Sequence, residues 1–198
     1  MKITKIIYLI SLVLLASSCV KQHSLVPVDR SISEYRNFPG LLQYKLPQGN
    51  NWFVIKERDY TGTYGKKLES SQHTFIVSLS TSKTKNKFNS KEEFLSFLKD
   101  IRSKDIDPNK FTDIEYSEVL DNKHGEYCTK FKQKANESGK GILESNGYTC
   151  LHPKHKELIF TILYTERTNT IQASDQTQKE GVAFIESLNL NKYNKAVK

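Results

Sequence analysis

The tightest constraint on this chain is a spacing. Cys128 and Cys150 lie equally far on either side of Gly139, which sits in the turn-forming run Asn136-Glu137-Ser138-Gly139-Lys140. A hairpin centred on Gly139 sets the two cysteines opposite each other. Directly opposed side chains in a β-ladder are about 4.5–5.5 Å apart, close enough for a disulfide. Closing that loop would stabilise the fold by about 3 kcal/mol on the chain-entropy account. The alternative is two buried free thiols. The pair is too widely separated for a Cys-x-x-Cys redox motif, so its expected role is structural. The same hairpin orders its first strand: Lys130, Lys132 and Lys134 alternate and therefore share one face. They form either a cationic contact or the solvated side of the sheet, and Cys128 shares their parity.

A disulfide requires an oxidising compartment, and the start of the chain supplies one. Lys2 and Lys5 precede an apolar run over residues 6–16, broken by Ser11, and two small residues, Ser17 and Ser18, lead into Cys19. A charged start, a short apolar core and a small-residue cleavage region form a secretory signal. A membrane-spanning helix would need about 20 apolar residues. The segment Leu15-Ala16-Ser17-Ser18-Cys19 resembles the lipobox of bacterial lipoproteins, with Ala16 where leucine is usual. That resemblance implies cleavage after residue 18, lipidation of Cys19 and attachment to a membrane through the acyl chains. Val20 in place of aspartate implies outer-membrane delivery facing the periplasm, with surface exposure as a variant. Cys19 is then taken, and of the three cysteines an even pair remains for an exported chain.

Removing residues 1–18 leaves 180 of 198, a length that suits one domain and is short for two. Formal charge is +8, or +6 without Lys2 and Lys5. Basic surfaces favour anionic partners, but 25 lysines stand against five arginines, and arginine is the residue phosphate-reading sites use. Nucleic acid is therefore not an expected partner; an envelope protein or an anionic surface is.

Residues 20–38 lack periodicity and read as a flexible tether after the lipidated Cys19. The globular domain is expected over 39–190, with a polar tail at 191–198. Residues 41–46 are short and apolar-rich. Residues 52–60 read as a strand with Trp52, Val54 and Lys56 on one face and Phe53 and Ile55 on the other; Gly62 and Gly65 then interrupt, and residues 73–81 form a further strand. Ser90-Lys91-Glu92-Glu93 fits a capping box, opening a helix with Phe94, Leu95, Phe97, Leu98 and Ile101 as its buried stripe. Strands follow at 114–120, 126–135, 141–151 and 157–167, joined by short polar turns that favour an antiparallel meander. Asp175 is expected to cap a closing helix over 176–188 that buries Val182, Phe184, Ile185 and Leu188. The fold class is α+β: a mainly antiparallel sheet of six to seven strands flanked by two helices.

This order of elements, with Tyr44-Lys45-Leu46-Pro47 leading to Trp52, resembles the alpha-beta-alpha sandwich of the Mog1/PsbP-like fold. The resemblance implies a binding or assembly factor. The residues offer little chemistry to set against it. Cys150, His152 and His155 mimic a metal motif, yet a disulfide removes the thiolate and leaves two histidines on a turn, short of the three or four ligands zinc takes. Gly62-Thr63-Tyr64-Gly65-Lys66-Lys67 lacks the spacing of a phosphate loop. Glu115, Glu118 and Glu126 read as solvated carboxylates. No catalytic residue, metal or cofactor is expected. The expected function is a non-enzymatic, lipid-anchored envelope module; an immunity lipoprotein that neutralises a secreted toxin, or a hydrolase, are the alternatives.

Overall fold

The computed structural model describes residues 25–31, 33–58, 60–68, 73–105, 107–169 and 174–190. The chain is α+β. Ten strands are described: β1 (Val26–Pro27), β2 (Tyr35–Phe38), β3 (Leu42–Lys45), β4 (Trp52–Arg58), β5 (Thr61–Lys66), β6 (Thr74–Lys83), β7 (Phe111–Leu120), β8 (Cys128–Glu137), β9 (Gly141–Leu151) and β10 (Leu158–Thr168). Two helices, α1 (Lys91–Asp105) and α2 (Asp175–Glu186), complete the described elements. Eight strands form one sheet in the order β1-β4-β5-β6-β10-β9-β8-β7, and β2 and β3 form a separate ribbon. Every pairing is antiparallel. The hairpin register is the one the cysteines demand: Cys128 faces Cys150 and Lys134 faces Glu144. The two cysteines are bonded, with Cα atoms 4.1 Å apart and both side chains fully buried.

Strand parity assigns each helix its face. Phe75, Val77, Leu79, Tyr148, Cys150, Phe160 and Ile162 belong to one core cluster with Phe184 and Ile185 of α2. The β2–β3 ribbon closes over this face, its Tyr44 edge-on to Phe184 at 5.7 Å between ring centroids. The Tyr44 hydroxyl shares a 2.9 Å hydrogen bond with Tyr64, which donates at 2.6 Å to Glu57, itself forked by Arg36. Burial pushes the Tyr44 phenol up to about 12 and raises Tyr64 further, so both stay protonated. The opposite face carries α1, whose Phe94 and Leu98 pack on Leu151 and Ile159.

Several expectations are corrected. β5 is a full strand across Gly62 and Gly65: Gly62 lies under the Tyr44 and Tyr64 hydroxyls and Gly65 under the Phe53 ring, where a Cβ would collide. A bulge between Val54 and Lys56 breaks the alternation of β4, so Lys56, paired with Thr63, joins Phe53 and Ile55 on the α1 side rather than Trp52 and Val54. The α2 cap is Ser174, whose hydroxyl accepts from the Thr177 amide, and Asp175 is the first helical residue. Val182 is 42 % exposed. Gly181 faces the sheet instead, so close that a Cβ would fall 2.8 Å from the Phe75 ring. In α1, Ser90 accepts from the Glu93 amide as expected, but Glu93 reaches back to the Asn89 amide. Ile101 is exposed, and the stripe ends in Arg102 instead.

The largest departure concerns the tether. Within the stretch expected to be flexible, Val26 and Pro27 pair with Val54 and Phe53 of β4. Val28 is buried and its amide donates to the Trp52 carbonyl at 3.0 Å, while Arg30 donates to the carbonyls of Pro47 and Gly49. β2 follows within the same stretch. The folded body therefore starts near residue 26, and only residues 20–25 separate Cys19 from it. Among the described residues, no helix is long and apolar enough to cross a membrane.

Candidate functional site

β8 projects its three lysines from the α2 face, as the hairpin parity requires, but the structure gives them different surroundings. Lys130 stands across from Tyr148 with its ammonium 5.5 Å from the ring centroid. The Tyr148 hydroxyl donates to Glu186 of α2 at 3.0 Å, and the buried His124 ring meets the same tyrosine edge-on at 4.4 Å. Lys134 lies between two acids: it pairs across the ladder with Glu144, at 3.5 Å, and with Glu115 of β7 on its other side. Lys132 faces Ser117 and Asn146 and makes no ion pair among the described residues. The stripe is thus uniform in sequence and graded in space: Lys134 is ion-paired, Lys130 lies over a ring, and Lys132 has neither contact among the described residues.

Lys132 and Lys134, but not Lys130, border an open depression of about 470 Å³ on the α2 face of the β7–β8–β9–β10 half, whose lining also includes Glu115, Ser117, Glu144, Asn146 and Tyr164. Tyr164 forms its inner wall, stacked on Phe75 with centroids 5.5 Å apart. Burial and then Glu144 and Glu166 raise its phenol, which keeps it a neutral hydrogen-bonding group. Two lysines, two glutamates, an amide and hydroxyls give a polar basin of balanced charge. It suits recognition of a polar surface carrying both signs better than capture of a simple anion.

Other residues singled out by sequence occupy structural positions. His152 is fully buried rather than solvated on a turn: its Nδ1 accepts from the amides of Lys154 and His155, and its Nε2–H donates to the Leu41 carbonyl at 2.9 Å. It pins the entrance of β3 to the β9–β10 turn, and burial depresses its pKa. Among the described residues, no three His, Cys, Asp or Glu side chains are grouped to hold a metal. Glu118 is buried, not solvated. It accepts from Arg102 at 3.2 Å, from Thr129 at 2.5 Å and from Tyr116, while Arg102 also donates to Thr149 at 2.6 Å and lies 3.7 Å over the Phe131 ring. Its parity with Tyr116 and Leu120 was the available sign. On the other face, Glu180 accepts from the Trp52 indole at 2.9 Å and pairs with Lys66. Nothing local in the sequence joins residues so far apart. Cys19 lies outside the described residues.

No known sequence family matches the chain, and no curated protein sequence matches it. Among solved structures, it is similar to the Ran-binding protein Mog1p of Saccharomyces cerevisiae, at 9 % identity and a TM-score of 0.45, over 79 % of this chain and 95 % of that one. A Mog1 mutant structure matches over the same shares at 10 % identity, also with a TM-score of 0.45.

Proposed function

We propose that this is a lipid-anchored protein of the bacterial cell envelope, acting as a non-enzymatic binding or assembly module through the basin around Lys132. The observation that carries this reading is the buried Cys128–Cys150 bond, a crosslink that persists in oxidising compartments. It agrees with the export signal and lipobox ending at Cys19. Lipidation stabilises membrane attachment by about 0.8 kcal/mol per buried methylene, so the domain itself is free to serve protein contacts. The basin's balanced charge favours an envelope protein over an anionic surface as its partner. The resemblance to bacterial lipoproteins, with Val20 rather than aspartate after the cysteine, supports outer-membrane attachment facing the periplasm.

Labelled palmitate should enter the wild-type chain, and Cys19→Ala should abolish both labelling and membrane retention. Persistence of both in the variant would remove the lipoprotein reading. With anchorage established, Lys132→Glu should weaken capture of the crosslinked partner while leaving retention unchanged.

A further inference from the structure

If Cys19 carries the lipid, covalent geometry restricts where the domain can stand. Only six residue steps separate Cys19 from Leu25, and a fully extended chain advances about 3.3–3.6 Å per residue. The Cα atom of Cys19 therefore lies no more than about 22 Å from that of Leu25, which keeps the β1 margin of the sheet within short reach of the membrane. The body cannot hang from a long tether.

The composition of that margin fits a bilayer surface. Leu25 is 54 % exposed, Val26 61 % and Ile55 49 %. Val26 pairs with Val54, which sets Leu25 level with Ile55. The β4 bulge then does something regular alternation would not: it brings Lys56 to the same side as Ile55, and Arg58, paired with Thr61, follows on that side. Neither cation has an ion-pair partner among the described residues. Glu57 points to the other face, where Arg36 holds it. An apolar rim followed by cations that no described carboxylate pairs is the chemistry that sits at the boundary of acyl chains and phosphate head groups.

We propose that the β1–β4 margin rests on the bilayer, with Leu25, Val26 and Ile55 at head-group depth and Lys56 and Arg58 among anionic lipid phosphates. The inference depends on the anchored reading above. It adds a fixed orientation: β8 lies six strand spacings from β1, so at about 4.8 Å each the Lys132 basin is lifted roughly 30 Å from the membrane, towards partners.

The test uses the full lipidated protein in vesicles of phosphatidylglycerol and bromine-labelled phosphatidylcholine. A fluorescent amino acid is placed at position 55 in one sample and at position 132 in another. Quenching by the brominated lipid should be several-fold stronger at 55 than at 132. In a third sample, with the probe at position 26, Ile55→Asp with Lys56→Glu should remove quenching while the protein still sediments with the vesicles. Equal quenching at 55 and 132, or none at 55 in protein that sediments, would overturn the orientation and leave anchorage intact. A probe at 55 that is equally shielded in detergent would also overturn it, by revealing a contact between protein copies. Protein that fails to sediment at all would overturn the anchored reading and this inference with it.

Discussion

α2 rests on rings: Phe184 meets Tyr44 and Tyr64 edge-on, and Gly181 lies against Phe75 and Tyr164. α1 sits on the opposite face over a smaller cluster, Phe94 and Leu98 on Leu151 and Ile159, and its last turns are held by Arg102 to a buried carboxylate. The contrast is one of proportion: α2 seats mainly on aromatic area, with Glu180 held by Trp52 and Lys66 beside it, whereas the end of α1 is fixed chiefly by a directional polar network. Area tolerates small displacements of a helix, because many weak contacts can be exchanged. A buried carboxylate with three named partners does not, because each lost hydrogen bond leaves a desolvated group unsatisfied. On this account α2 carries stability and α1 carries register.

The greatest separation of the two faces should come from truncating a ring. Phe184→Ala should cost about 4 kcal/mol, read as a lowered midpoint in denaturant. A loss below about 1 kcal/mol would mean the aromatic face collapses to fill the gap. Next, Arg102→Met keeps the stem over Phe131 but leaves Glu118 without its cation. It should cost about 2–3 kcal/mol, and adding Glu118→Gln should recover most of that. Strictly additive losses in the double-mutant cycle would show that the two do not act as a unit. Smaller, and confined to the aromatic face, Ser174→Ala removes the hydroxyl that accepts from Thr177 at the start of α2 and should cost about 1 kcal/mol.

The gentlest change is with pH. Two buried histidines, His124 and His152, secure the aromatic face: His124 Nδ1–H donates to the Leu188 carbonyl at 2.7 Å, and His152 holds Leu41. Burial is the main cause that lowers both pKa values from 6.5. The folded state thus prefers the neutral ring, and the unfolded chain binds more protons on acidification. Their contribution is complete above about pH 6.5 and declines as pH falls from there towards the folded values. Amides near α2's C-terminus and in β3 should lose exchange protection between pH 7 and 5 before those of α1, and His124→Phe should flatten the decline. Simultaneous loss on both faces would break the comparison.

How much of this was legible depends on how far each signal reaches along the chain. The cysteine pair and the period-two pattern of β8 and β9 were enough to place Lys134 opposite Glu144 and Lys130 opposite Tyr148, because a hairpin's register follows from its turn. Glu115 could not be assigned to the basin in the same way: β7 carries a bulge between Thr112 and Glu115, and a bulge shifts parity without a compositional mark. The β4 bulge hid Lys56 for the same reason. Residues 26–38 looked like a tether because β1 is only two residues long, with too few positions to display alternation.

By itself, the sequence determined the α+β class, the disulfide, the hairpin register and the two helices, all of which rest on local periodicity or on spacing within one turn. Tertiary structure alone decided that Gly62 and Gly65 lie in a strand, that Glu118 and His152 are buried, and that Val26 and Pro27 are already paired into the sheet. The physical reason is reach. A strand's edge, a buried carboxylate's partners and a bulge's consequence are set by neighbours far away in sequence, whose positions exist only once the sheet has closed around them.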